Sequence, residues 1–220
     1  MGVPGGKTKT IAVDLSGLLP ASDYLVRVVT SNEIYWDAAF FTVDEEPAEY
    51  RETRLTLVGA DLHYRGCSKR LKQENFAPEW YDYAAVEQRP LWPPMLGHFT
   101  RYGDVSELIA ETDGRLAVFG AGDEMTVRFR APDSPPPDGW KRDFLLYNVG
   151  WDKDADLNTV YGQTVEPLPF AGMSGYPQDP VEPGPGSPGH RDYLRQYQTR
   201  EQSTRDFWHQ VRDFQPAQRP

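Results

Sequence analysis

Residues Tyr24–Val43 read YLVRVVT-SNE-IYWDAAFFTV, two β-branched and aromatic runs separated by three polar residues. Such runs suit a pleated surface, and a polar spacer this short brings them together as an antiparallel hairpin. The stretch predicts strands at Tyr24–Thr30 and Ile34–Val43 about a Ser31-Asn32-Glu33 turn. The flanking sequence repeats the same grammar. Thr8–Leu15 alternates polar and apolar residues until Gly17 and Pro20 interrupt it, and Asp44–Pro47 is an acidic connector. Thr53–Tyr64 reads as another strand, with Gly59 as the site of a bulge.

Further on, Leu116–Phe119 and Met125–Arg130 form strands around a Gly120-Ala121-Gly122 turn, preceded by the turn signal Asp113-Gly114. Pro132–Gly139 is a surface loop, and Lys141–Gly150 returns as a strand. One short helix is expected at Val105–Glu111, with Asp104 as its N-cap and Glu107 at its third position. Lys69–Gly97 lacks periodicity and carries Trp80, Tyr81, Tyr83, Trp92 and four prolines, so it reads as a long aromatic loop. The expected fold is mainly β: an antiparallel β-sandwich, jelly-roll or immunoglobulin-like, over residues 6–177. A Pro/Gly-rich linker over 178–189 follows, and a helical tail over 190–214 closes the chain.

Composition agrees with a turn-rich β domain: the 220 residues include 6 Trp, 12 Tyr, 10 Phe, 20 Pro and 19 Gly. A net charge of −10 argues against general nucleic-acid binding, which needs clustered cations; Lys69, Arg70 and Lys72 are the only basic cluster. No apolar run reaches the roughly 20 residues of a membrane span. The N-terminal MGVPGGKTKTIAVDL has no hydrophobic core, so no secretion signal is expected in this chain. Gly6 at the sixth position also argues against myristoylation at Gly2.

Few motifs carry chemistry. Gly2 to Gly6-Lys7-Thr8 is one residue short of a phosphate loop and is followed by a strand pattern. Cys67 stands alone, without disulfide or cysteine-based metal site, and reads as a small buried hydrophobe. His63, His98, His190 and His209 fall in different segments with no zinc spacing. Ser174 lacks the second glycine of a nucleophile elbow, Tyr176 standing there instead. No catalytic residue is assigned. The alternative to a binding role is a hydrolase-like enzyme using carboxylates among Asp123, Glu124, Asp143 and Asp152.

Two sets of binding residues are candidates. Asp152, Asp154, Asp156 and Asn158 occupy alternate positions, as the early ligands of a Ca2+ loop do. Leu157 stands where such a loop has glycine, and Gln163 where it has a bidentate Glu; Glu166 or backbone carbonyls would have to substitute. The same run also reads as a solvated acidic turn capped by Asp156 and Asn158. Trp80, Tyr81 and Trp92 are the candidate ligand-binding aromatics, and with Trp36, Trp140 and Trp151 they could furnish a sugar-stacking platform.

The blocks GKTKTIAVDL, RVVTSNEIYWDAAFF, ADLHYRGCSKR, FTRYGDVSELI, GAGDEMTVRF, GWKRDFLLYNVGWDKDADLN and QTVEPLPFAGMSGYP span roughly Gly6–Pro177. Together, with YLRQYQTRE in the tail, they resemble the C-terminal region of bacterial FG-GAP/ASPIC-UnbV repeat proteins. These are relatives of cartilage acidic protein, and some carry tetratricopeptide repeats. The resemblance implies a non-catalytic module of an exported or cell-surface protein that follows a propeller often binding Ca2+. It implies no catalytic residues. A chain without propeller or export signal is then expected to be a C-terminal piece or a short gene product contacting protein or glycan.

Overall fold

A computed structural model describes residues 10–19, 25–29, 36–42, 49–71, 80–88, 95–153, 162–170, 172–179, 188–203 and 205. The chain divides into two units, Met1–Glu52 and Thr53–Pro220. Among the described residues, the strands and the helix lie in the second unit, which is mainly strand, arranged as three small antiparallel sheets with one α-helix.

The central strand is β1, Leu57–Tyr64, flanked by β5, Gly103–Asp104, and β6, Asp123–Phe129, in the order β5-β1-β6. Alternation along β1 sends Ala60 and Leu62 inward and Asp61 and His63 outward. Val127 lies opposite Ala60 and Met125 opposite Leu62. Pairing shifts between Leu57 and Gly59, which places the expected bulge at Gly59. The β1–β6 pair is anchored beyond its end by Arg65 and Gly66, whose N–H groups both donate to the Gly120-Ala121-Gly122 turn at Gly122 O, 2.9 Å each.

A second sheet pairs β2, Cys67–Leu71, with β3, Trp80–Glu87. Much of the stretch read as a loop is therefore strand. The pairing jumps from Ser68↔Val86 to Lys69↔Asp82, so Tyr83–Ala85 loops out of the ladder. The carboxylate of Asp82 accepts from Ala84 N at 2.9 Å and Ala85 N at 3.3 Å, holding that loop in place. The interruption explains why no period is visible in the sequence.

The third sheet pairs β4, Gly97–Phe99, with β7, Arg200–Gln202. A parallel bridge joins Leu96 to Thr164 beside it. Before β7 runs α1, Pro188–Tyr197, whose Tyr193 and Tyr197 complete a core of Ala60, Leu62, Val105 and Leu108. The tail is thus helix and then strand: Arg200–Gln202 departs from the helix expected over 190–214, because the pairing with β4 overrides local propensity. Residues 206–214 lie outside the described residues, as do most of 178–189.

Two other expectations change. The predicted helix Val105–Glu111 is a single 3-10 turn, Ser106–Leu108. Asp104 still accepts from Ser106 N, at 2.9 Å. Lys141–Gly150 is exposed and is not paired as a strand among the described residues. Leu116–Phe119 likewise joins no strand, but it is held by Thr100 N to Val118 O at 2.8 Å and Val118 N to Thr100 Oγ1 at 2.7 Å.

In the first unit a turn at Ser16–Leu18 is closed by Leu18 N donating to Leu15 O at 3.0 Å, with Gly17 at φ 72°. Thr10–Leu15, Leu25–Val29 and Trp36–Thr42 are not paired as strands among the described residues. The hairpin turn expected at Ser31-Asn32-Glu33 lies outside them. β-propensity measures fit to a partnered surface, and the side chains here remain largely exposed. Among the described residues no helix is long and apolar enough to cross a membrane.

Candidate functional site

Polar side chains collect at three places in the second unit. On the outer face of β1 and β6, His63 sits between two carboxylates: Nδ1 is 3.2 Å from Asp61 Oδ2 and Nε2 is 3.3 Å from Glu124 Oε1. Strand alternation puts Asp61 and His63 on one face, and the register brings Glu124 opposite His63. Arg65 joins them through Nε to Glu124 Oε2 at 3.1 Å and reaches Ser68 Oγ at 3.2 Å and the carbonyl of Tyr83. Cys67 lies two residues beyond Arg65, at the start of β2. That thiol is half-buried, and burial pushes its pKa above the usual range, aided by Glu87 and Asp123.

Asp123 lies on the opposite face. Its side chain is 4% exposed and meets Arg200 Nη2 at 2.7 Å. Tyr102 OH donates to Asp123 Oδ1 at 2.7 Å, and Gly120 N donates to Oδ2 at 2.9 Å. Arg200 stacks 4.0 Å from the Tyr102 ring centroid. Burial, then the bond to Asp123, pushes the Tyr102 phenol up to about 12. Asp123 and Glu124 therefore diverge rather than converge, and Asp143 and Asp152 are exposed.

The third place is built from the segment that follows Lys141–Gly150. Lys153 is half-buried and points its ammonium at Tyr176 OH (2.6 Å), Val165 O (3.2 Å) and Glu166 O (3.4 Å). Desolvation lowers its pKa, opposed by Glu166. Tyr176 OH in turn donates to Pro167 O at 2.9 Å. The Tyr176 ring lies 5.3 Å from that of Trp151, tilted by 43°. At the other edge the Glu166 carboxylate accepts from His98 N at 3.0 Å and lies 2.9 Å from His98 Nδ1. Gly97, at φ 116°, makes this approach possible, since a Cβ there would overlap the Glu166 carboxylate.

The sequence-derived candidates distribute unevenly over these places. Trp80 and Tyr81 are consecutive in β3 and so point to opposite faces of its ribbon. Tyr81 instead lies near Tyr83, with ring centroids 6.4 Å apart. Trp92 lies outside the described residues, as do Asp154, Asp156 and Asn158 of the Ca2+ candidate set. Asp152 is exposed, and among the described residues no group of three His, Cys, Asp or Glu side chains is placed to hold a metal ion. Glu166, considered as a substitute ligand, is engaged by His98. Sequence reasoning missed Lys153 and Tyr176. A lysine interrupting an acidic run was the available signal, but the partners that half-bury it lie 12 to 23 residues away.

No family model matches the chain, and no curated protein or solved structure does so either.

Proposed function

We propose that this chain is a non-enzymatic binding module, contacting protein or glycan through exposed apolar and aromatic side chains. The observation that carries the reading is the contrast between its polar and apolar groups. Asp61, His63, Asp123, Glu124, His98 and Glu166 are engaged by other polar groups, whereas Phe144–Trp151 presents its apolar residues to solvent, Leu145 at 100% and Tyr147 at 91% exposure. Large apolar side chains exposed in one run are a mark of interaction sites.

The resemblance to the C-terminal region of FG-GAP/ASPIC-UnbV proteins supports the same reading, with an exported or cell-envelope setting and a β-sandwich as the finer architecture. Ca2+ is the cofactor proposed with it, the acidic run beginning at Asp152 supplying hard oxygen donors. Titration with Ca2+ should raise the melting temperature in proportion to the logarithm of its concentration. An unchanged melting temperature removes the metal from the proposal.

The module reading is tested by pairing two assays on the purified chain. Affinity electrophoresis through gels cast with soluble polysaccharides, and retention on immobilised proteins, report binding. A reducing-end release assay on the same polysaccharides reports hydrolysis. The expected result is retention without release. Release that disappears in Asp123→Asn or Glu124→Gln would overturn the reading in favour of a carboxylate hydrolase.

A further inference from the structure

We propose that Trp151 is a saccharide-stacking platform taking a neutral sugar ring; this rests on the binding-module reading and names its ligand class. A pyranose presents a flat aliphatic face edged by hydroxyls, which calls for an exposed aromatic ring held still, with hydrogen-bonding groups at its margin. Trp151 meets the first condition, with 55% of its surface exposed. It meets the second through Tyr176, the ring 5.3 Å away. Tyr176 is pinned twice, by donating to Pro167 O at 2.9 Å and accepting from Lys153 Nζ at 2.6 Å. Lys153 is itself spent on Val165 O and Glu166 O, so it serves as the brace and not as a ligand contact.

Asp152, next in the chain, is also exposed, and a carboxylate accepts from hydroxyls. This arrangement separates Trp151 from the other exposed rings. Phe144 and Tyr147 are exposed too, but neither has a ring contact among the described residues. A ring with a fixed backing loses little freedom when a sugar settles on it, which is what makes a single platform useful.

The test uses the full chain and a panel of cello-, xylo-, manno- and malto-hexaose, read by intrinsic Trp fluorescence and calorimetry. At least one sugar should bind with a dissociation constant of about 1 mM or tighter. Trp151→Ala should weaken that binding about tenfold or more, the scale of ~1.4 kcal/mol, while Trp151→Phe retains part of it. Tyr176→Phe keeps the ring but loses both pinning bonds, and should weaken binding by less than Trp151→Ala. Phe129→Ala, an exposed ring at the end of β6, should leave it unchanged. Binding that survives Trp151→Ala, or falls equally in Phe129→Ala, overturns the platform while leaving a binding module. No binding to any of the four sugars also overturns it, with the protein arm of the module still open to the retention assay. Release of reducing ends from the bound sugar would overturn the module reading itself.

Discussion

Replacing Arg200 by Ala tests the account of how the C-terminal segment is held. Asp123 is 4% exposed and Arg200 27%, and their closest atoms are 2.7 Å apart. Removing one partner of a buried pair costs about 3–5 kcal/mol, because the remaining charge has lost its compensation. Here Tyr102 and Gly120 still donate to the carboxylate, and water can enter along the path Arg200 vacates. That places the electrostatic loss near 2 kcal/mol, to which the stacking on Tyr102 adds roughly 0.5–1 kcal/mol. Arg200→Ala should therefore destabilise by about 3 kcal/mol and Asp123→Asn by about 2. The double variant should also lose about 3, leaving a coupling of about 2 kcal/mol. Urea unfolding of the four proteins, with linear extrapolation at a common slope, gives each value. A coupling below about 0.5 kcal/mol would refute the clamp, since that is the behaviour of independent sites.

Four other outcomes follow from the same geometry. Tyr102 is raised from 10.0 to about 12 in the fold, so its contribution is complete below pH 10 and disappears as pH rises towards 12. Discounted for solvent access, the loss is roughly 1 kcal/mol, and tyrosinate absorbance compared between wild type and Tyr102→Phe measures it. Leu62 is fully buried beneath β1, and Leu62→Ala should cost about 2–5 kcal/mol in denaturant unfolding. Tyr193→Phe strips Leu116 N and O of bonds at 3.0 and 2.7 Å, and thermal unfolding should register a loss of about 1–3 kcal/mol. Gly97→Ala combines a positive φ with overlap on the Glu166 carboxylate; a loss of roughly 2 kcal/mol is expected, and none at all would show that the His98–Glu166 contact is not formed.

How far the sequence could be read depended on whether a residue's role was local. The Gly59 bulge, the Asp113-Gly114 and Gly120–Gly122 turns and the strand ending at Tyr64 were legible, because each is specified by neighbours within a few positions. The strand Trp80–Glu87 was not, since the looped-out Tyr83–Ala85 breaks the period-two pattern that announces a strand. Lys141–Gly150 and Leu25–Val29 failed in the other direction: strong β-propensity without strand pairing among the described residues. At the candidate site, Trp151 and Asp152 could be named from residue type. Lys153, Tyr176, Glu166 and His98 acquire meaning only through contacts spanning up to 68 residues. Tyr193 and Tyr197 fall within the helical tail expected over 190–214, whereas the strand that follows them depends on pairing with Gly97–Phe99.

The return of α1 and β7 onto the body has a consequence for the order of events in synthesis. Tyr193 reaches back 77 residues to Leu116, and Gln198 and Arg200 reach back 98 and 100 residues to Thr100. A nascent chain that has emerged only as far as Phe129 holds a β1–β6 pair whose apolar face still lacks Tyr193 and Tyr197. It must carry that face uncovered while another seventy or so residues are made, a delay of several seconds at ordinary elongation rates. Closure then awaits a long-range encounter across the Pro/Gly-rich stretch before α1, which slows folding without weakening the finished structure. The interval is when this protein is most exposed to misassembly, and slowing translation downstream of Phe129 should lengthen it.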